Sequence, residues 1–413
     1  MNERRPRLSL GTLTVAGTLS LAACGGVDTS AAKPETVSPE KDAGAKNEDA
    51  KAVDSGVGIE TDAAGAQDGR SEVGLGHDAM VTDGGDEAGP ATLDPDVVAM
   101  MRKVADWQLP RAGTSKDWIH GAMWTGIMAT YVTTGDVKYL NAVKTWAGDW
   151  GLIGGTGARG DNQCAAQTFF DAYLLDPTPS NMKMVSGAKP SFDALVANPP
   201  PGRREWWWED ALFMVPPGFA RLGTITADKK YFQVMNGMWW DTYAFLFSPQ
   251  HGLMYRDMSF FGSTTFWSRG NGWVVAGIAR VLQHLPEDDP KRADYVKVLN
   301  TMLAAIRPVQ HADGLWPSNL LHGADAGPET SGTGFFAFAI AWGIHHGVVD
   351  RAVYLPVVKK AWTGLVSHVD ADGKLGYVQN VGASPAPAAA DETHEYGVGA
   401  FLLAGSEVAK LAR

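Results

Sequence analysis

Two stretches of this chain have similar sequences: Thr134-Gly135-Asp136-Val137-Lys138-Tyr139-Leu140 and Thr226-Ala227-Asp228-Lys229-Lys230-Tyr231-Phe232. A third stretch, from Asp350 through Tyr354 to Trp362, repeats the order of aspartate, aromatic residue and tryptophan. Each aspartate is suited to cap a helix whose aromatic positions then pack inward. Because long alternating strand patterns are missing, the repeats predict an all-α chain built from helix pairs.

Helix pairs over a chain of this length can stack as an open solenoid or close into a six-hairpin (α/α) toroid. Glycine-rich joints favour the closed barrel. The pair Asp94-Pro95 supplies a cap and a first-turn proline, so we place the start of the folded domain near Leu93. The pair Pro216-Pro217 predicts a kink in a helix over residues 211–222. In a closed toroid, motifs that precede helices converge on one end.

The first quarter of the chain cannot form a conventional core, since no aromatic residue precedes Trp107. Residues 1–24 have a basic start and a short apolar run that ends in Leu21-Ala22-Ala23-Cys24, which resembles a bacterial lipoprotein signal with Cys24 as the lipidated residue. Residues 25–92 hold 15 acidic and five basic residues and predict a disordered Gly/Ala-rich tether. Residues 93–413 form the predicted catalytic domain.

Composition narrows the possible partners. The net charge of −11 falls mostly on the tether, and no basic stripe indicates nucleic acid. With Cys24 lipidated, Cys164 is left without a disulfide partner and is interpreted as a buried filler. Zinc-binding patterns and phosphate-binding glycine loops are absent, so we expect no metal and no cofactor. We expect a monomer anchored by lipid to the bacterial cell envelope, and Gly25 after the cysteine favours the outer membrane.

The most informative local motif is Trp206-Trp207-Trp208-Glu209-Asp210-Ala211-Leu212-Phe213-Met214. Three consecutive indoles indicate a half-open cleft that binds sugar rings. Asp210 alone could be a helix cap. The apolar neighbours Trp208 and Met214 instead predict a desolvated carboxyl with a raised pKa, which can hold a proton near neutral pH and donate it.

A second motif, Trp267-Ser268-Arg269-Gly270-Asn271-Gly272-Trp273, places a cation between two indoles. Arg269 and Trp273 are four residues apart, so on a helix they share a face that suits a ligand with a carboxylate and a flat apolar side. The alternative is a glycine turn with a surface arginine. For Asp161 two interpretations also stay open: its carboxylate binds a sugar hydroxyl, or it caps the next helix.

Together, these motifs resemble glycoside hydrolase family 105, the unsaturated rhamnogalacturonyl hydrolases, from about Trp107 to the closing Tyr396–Gly405 stretch. Asp313-Gly314-Leu315-Trp316 and Glu329-Thr330-Ser331-Gly332-Thr333 contribute to the resemblance. The related family 88 shares the architecture. The resemblance implies a six-hairpin (α/α) barrel that removes a Δ4,5-unsaturated uronic acid, most readily from pectin- or rhamnogalacturonan-type oligosaccharides, without a metal.

By the same resemblance, Asp210 protonates C4 of the substrate and then, as a carboxylate, helps water add at C5. Arg269 would hold the uronate and Asp161 would bind the sugar. The ring site would be shaped by Trp208, Met214, Trp267 and Trp273. One departure from the family pattern is Glu209, where an uncharged residue is expected: it could raise the pKa of Asp210 further or face away.

Two rival functions stay open from the sequence. A glycosidase with two carboxylates would pair Asp210 with Asp161 or Glu329 and would act on saturated glycosides. A non-catalytic lipoprotein that captures oligosaccharides would keep the tryptophans and tolerate the loss of Asp210. Neither rival accounts as directly for Arg269 beside an isolated acid.

Overall fold

A computed structural model describes residues 93–322 and 327–411. The predicted signal ending at Cys24 and the predicted tether over 25–92 lie outside the described residues. The α-helices of the described part are α1 (Pro95–Gln108), α2 (Trp118–Thr134), α3 (Val137–Ala147), α4 (Ala166–Leu175), α5 (Lys183–Ser186), α6 (Lys189–Ala197), α7 (Gly202–Glu205), α8 (Ala211–Met214), α9 (Pro216–Thr226), α10 (Lys229–Leu246), α11 (Ser268–Leu282), α12 (Arg292–Ile306), α13 (Thr330–His345), α14 (Arg351–Ser367) and α15 (Glu395–Val408).

Two short antiparallel hairpins interrupt the helices. Strand β1 (Phe247–Ser248) pairs with β2 (Leu253–Met254), and β3 (Trp316–Pro317) pairs with β4 (Pro328–Glu329). The first hairpin occupies the loop between α10 and α11, and the second occupies the loop between α12 and α13. Both hairpins therefore lie in connections that lead into an inner helix of the ring.

Six inner elements form a closed ring: α2 packs on α4, α4 on α9, α9 and α8 on α11, α11 on α13, α13 on α15, and α15 on α2. Each is preceded in the chain by an outer element, in the order α1, α3, α5–α6, α10, α12 and α14. The contact between α15 and α2 excludes an open solenoid. The predicted all-α, six-hairpin (α/α) toroid is confirmed.

Burial distinguishes the two layers. Helix α13 is buried along its whole length except at its last residue, whereas the outer helix α12 buries only one face. A helix that is apolar all round belongs in a core, and an amphipathic one belongs at its surface. Gly399 of α15 permits the closing contact, because a Cβ there would lie 2.3 Å from the carbonyl oxygen of Ala122. None of the described helices has the length and apolarity needed to cross a membrane.

The repeated turns mark the starts of outer helices. Asp228 accepts from the backbone N–H of Lys230 at the start of α10, and Asp350 accepts from that of Val353 at the start of α14. Asp136 departs from the prediction: it precedes α3 but makes no capping bond, because its carboxylate pairs with Arg102. The proline pair behaves as expected, since α8 ends before Pro216 and α9 begins with it.

Since every inner helix follows an outer one, the inner helices run parallel and their N-termini meet at one end of the ring, here called the N-terminal face. Helix N-termini carry partial positive charge and favour anionic ligands. The residues that directly precede or open inner helices include Asp117, Asp210, Trp267, Arg269, Glu329 and His394, and Asp161 lies in the 3-10 turn that leads toward α4. The predicted convergence of motifs at one end is therefore found.

Candidate active site

Asp210 lies at the N-terminal face, immediately before α8. Its side chain makes no capping hydrogen bond, so the helix-cap alternative is wrong. Its Oδ2 is buried, accepts no hydrogen bond from any described residue, and lies 3.8 Å from Nε of Arg256. Burial raises the pKa of Asp210, and the charges of Arg256 and Arg269 oppose that rise. The carboxyl is therefore suited to hold a proton and donate it.

Asp161 lies beside Asp210, in a 3-10 turn over Gly160–Gln163 that leads toward α4. It caps no helix, because the N-cap position of α4 is Ala165. Burial, followed by the negative charge of Asp210, raises the pKa of Asp161 to about 6, while Arg256 opposes the rise. Of the two readings of Asp161, the geometry therefore favours contact with a ligand.

Glu209 is fully buried and points toward the first turn of α11. A Cβ added at Gly270 would lie 1.8 Å from its Oε1. Neither carboxyl oxygen has a hydrogen-bond partner within the described part of the chain. Burial, and then the charge of Asp210, raise the pKa of Glu209 well above its ordinary value. The structure therefore places a second buried carboxyl group, whose charged form is disfavoured by burial, next to Asp210.

The three tryptophans of the triplet have different environments. Trp206 lies in the core against Phe219, so the expectation of a wall of three indoles is wrong for this residue. Trp207 is 46% exposed. Trp208 is half-buried, and its six-membered ring would clash with a Cβ at Gly160. An open indole surface at the site is thus formed by Trp207 and Trp208.

Arg269 is fully buried, contrary to the expectation of a cation that is open to ligand. Its Nη1 donates to the carbonyl oxygen of Gln379 at 2.6 Å, and its Nη2 donates to that of Asn380 at 3.0 Å. The guanidinium lies 4.4 Å from the ring of Trp267 and 4.8 Å from that of Tyr396. In this structure, Arg269 ties residues 379–380 to the start of α11.

The other predicted contact residues line the core beneath the site. Met214 is 1% exposed and Trp273 is fully buried, with Phe213, Phe335 and Trp118 around its indole. The indole N–H of Trp267 donates to the side chain of Gln379. The assignment of Met214, Trp267 and Trp273 to direct substrate contact stays a prediction.

Glu329 is one of the two candidates for the partner acid of a two-carboxylate glycosidase, but in the structure it has a different role. It is buried at the start of α13, where its carboxylate accepts from the backbone N–H groups of Ser331 and Gly332. A carboxylate used as a helix cap is not free to activate water. That version of the rival is not supported.

Several residues of the site escaped the sequence analysis. Arg256 follows β2, and its Nη1 donates to Asp257 at 2.6 Å. Asp117 caps α2 and binds His120 at 2.7 Å; burial opposes its charge, but these hydrogen bonds lower its pKa to about 2. Tyr396 stacks on Trp118. Arg256 and Asp257 could not be singled out from the sequence, because adjacent residues of opposite charge are common in loops. Among the described residues, no three His, Cys, Asp or Glu side chains are grouped to hold a metal.

Residues 94–412 match the profile of a family described as Glycosyl Hydrolase Family 88. A curated relative, the unsaturated 3S-rhamnoglycuronyl hydrolase of Formosa agariphila, is 36% identical over 350 residues, which cover 76% of this chain and 91% of the relative. The resemblance to this pair of related hydrolase families is therefore confirmed, and the matching profile carries the family 88 name.

Solved structures share the fold. Glycosyl hydrolase family 88 from Bacteroides vulgatus superposes with a TM-score of 0.70 at 29% identity, over 76% of this chain and 98% of that one. A protein described as Polysaccharide Lyase BACCELL_00875 superposes with a TM-score of 0.71 at 33% identity, over 77% of this chain and 97% of that one.

Proposed function

Because the chain belongs to glycosyl hydrolase family 88, we propose that it releases a Δ4,5-unsaturated uronic acid from the non-reducing end of oligosaccharides produced by polysaccharide lyases. The observation that carries the proposal is Asp210, a buried carboxyl whose Oδ2 has no hydrogen-bond partner among the described residues and whose pKa is raised. Such a group can act first as an acid and then as a base.

The reaction uses one carboxyl group twice. Asp210 donates its proton to C4 of the enol ether, which leaves positive charge shared between C5 and the ring oxygen. Water then adds at C5 and loses a proton to the Asp210 carboxylate, which restores the acid. The hemiketal at C5 opens to a ketone as its hydroxyl proton passes to the ring oxygen, which leaves a hemiacetal at C1. The hemiacetal breaks down to an aldehyde and releases the rest of the oligosaccharide as an alcohol. Glycosidases with two carboxylates instead attack C1 directly.

The neighbours of Asp210 fit these two steps. Trp207 and Trp208 offer indole surface to the sugar ring. Asp161, with a pKa of about 6, can accept a hydrogen bond from a sugar hydroxyl when it is charged. The name of the Formosa agariphila relative contains both rhamnose and an unsaturated uronic acid. We therefore place rhamnose in the position next to the unsaturated residue.

The test is the loss of ultraviolet absorbance of the conjugated double bond, measured with purified protein on lyase-made disaccharides. The panel contains unsaturated uronates linked to rhamnose, to galacturonate and to hexosamine. We expect absorbance to fall fastest with the rhamnose-linked substrates. Stable absorbance together with cleavage of saturated glycosides would favour the two-carboxylate rival. A gain of absorbance from saturated uronides would show a lyase, and binding without either change would show a capture protein.

The lipid anchor is a separate proposal, supported by the sequence Leu21-Ala22-Ala23-Cys24. We expect the full chain, expressed in a bacterium, to incorporate labelled fatty acid and to fractionate with membranes. Cys24→Ala should abolish both, because the acyl chains are attached to that sulfur. Label in the Cys24→Ala variant, or a wild-type protein released without label, would contradict this proposal.

A further inference from the structure

The cation predicted to hold the substrate carboxylate is already engaged. Both terminal nitrogens of Arg269 donate to main-chain carbonyl oxygens, those of Gln379 and Asn380, and the side chain has no exposed surface. Only its Nε lacks a hydrogen bond in the described structure. Arg269 is held by these bonds and has no exposed surface from which to meet a ligand. A two-pronged contact between Arg269 and a substrate carboxylate would therefore require the surrounding chain to move.

Arg256 is placed differently. Its side chain is 17% exposed, and its Nε lies 3.8 Å from Oδ2 of Asp210. The Nη1 atom donates to Asp257, whose carboxylate is itself held by the backbone N–H of Ser259. The guanidinium lies 5.2 Å from the ring of Trp207. One side of the guanidinium is thus fixed by Asp257, while its Nε is left without a hydrogen-bond partner among residues 93–322 and 327–411.

The main chain also connects Arg256 to the catalytic segment. The carbonyl oxygen of Arg256 accepts from the backbone N–H of Glu209 at 2.9 Å. The position of the guanidinium relative to Asp210 is therefore set by a direct contact between the two segments. An arginine held in place at the main chain and by one carboxylate loses less freedom on binding a ligand than one on a mobile loop.

The position of the substrate carboxylate favours a cation close to Asp210. The carboxylate of the unsaturated uronic acid is attached to C5, next to the C4 atom that Asp210 protonates. A group that holds this carboxylate must therefore lie within a few ångströms of the acid. Among the cations whose charges act on Asp210, Arg256 and Arg269, only Arg256 has both partial exposure and an Nε aimed beside the acid.

We propose that Arg256 binds the substrate carboxylate and so determines the specificity for uronates, whereas Arg269 positions residues 379–380. This inference rests on the proposed function. The ion pair between Arg256 and Asp210 then also has a role in the reaction. When the substrate carboxylate binds Arg256, the positive charge that favours ionised Asp210 is neutralised, so Asp210 keeps its proton until C4 receives it.

The experiment compares two substrates with each enzyme: an unsaturated uronyl disaccharide with a free carboxylate, and the same disaccharide as its methyl ester. The enzymes are the wild type, Arg256→Gln, Arg256→Lys and Arg269→Lys, and kcat/KM is measured across pH for each. The quantity of interest is the ratio of kcat/KM for the acid to that for the ester. Differences in intrinsic reactivity between the substrates cancel when this ratio is compared between enzymes.

We expect Arg256→Gln to lower the ratio at least tenfold, chiefly through KM for the acid, and Arg256→Lys to lower it less. Arg269→Lys should leave the ratio near the wild-type value even where overall activity falls. An Arg256→Gln protein that is folded by circular dichroism and keeps the wild-type ratio would overturn the inference, as would a ratio that collapses only in Arg269→Lys. Wild-type protein that consumes neither substrate would reject the proposed function and this inference with it.

Discussion

Asp210→Asn should reduce kcat on unsaturated disaccharides roughly 10³-fold, the effect usual for the loss of a general acid. The amide fills the same volume but cannot give its proton to C4 or take one from water. In the wild type, activity should fall as pH rises through the raised pKa of Asp210, because the protonated form starts the reaction. The measurement is the initial rate of absorbance loss, taken at several pH values.

Glu209→Gln is the matched control, since it makes the same chemical change at the adjacent residue. Glu209 is buried behind Asp210 and has no exposed surface from which to reach a substrate. We expect its kcat to stay within about tenfold of wild type, well short of the loss expected for a general acid. If Asp210→Asn retained full activity, or if Glu209→Gln were the more damaged enzyme, the assignment of the catalytic acid would be wrong.

Gly270→Ala should damage the site from a distance. The new methyl group would lie 1.8 Å from Oε1 of Glu209, which is enclosed and cannot swing into solvent. Overpacking of this kind costs about 1–3 kcal/mol of unfolding free energy. Because displacement of Glu209 also moves Asp210, we expect kcat to fall up to about 100-fold. Chemical denaturation and the absorbance assay measure the two effects.

A second substitution tests whether the clash with Glu209 causes the damage expected for Gly270→Ala. Glu209→Ala removes the atoms that the new methyl group would strike, so Gly270→Ala combined with Glu209→Ala should recover stability and kcat relative to Gly270→Ala alone. Gly237→Ala supplies the matched control in α10, because a Cβ there meets no atom of the described residues within 4 Å, and this substitution should stabilise the protein by about 0.5–1 kcal/mol. Equal damage with and without Glu209 would show that another contact is responsible.

Much of the fold could be predicted because it depends on local signals. The turns at Asp228 and Asp350 are capped as expected, and the break at Pro216 follows from the covalent geometry of proline. Ring closure is the product of close contacts such as that between Gly399 and Ala122. A single sequence shows that glycines are present but not which backbone segment each one approaches. The sequence therefore favours a closed toroid over an open solenoid but does not establish it.

In the site, too, features set by neighbouring residues could be predicted, and features set by distant contacts could not. The raised pKa of Asp210 could be predicted because apolar residues lie close to it in the chain. The position of Arg256 could not, since its hairpin meets the catalytic segment through a main-chain hydrogen bond that leaves no pattern in the sequence. The spacing of Arg269 and Trp273 correctly placed them on one helix, but it could not show that Gln379 and Asn380 would occupy the guanidinium.

The contact of α15 with α2 also has a consequence for how this chain acquires its structure. These two helices lie near opposite ends of the described sequence, so the last-made inner helix completes the barrel. Before α15 docks, the apolar sides of α2 and α13 are exposed to solvent and can associate with other chains. Closure of such distant segments is slow compared with local helix formation. A chain in which α15 has not yet docked is therefore prone to aggregate through these apolar surfaces.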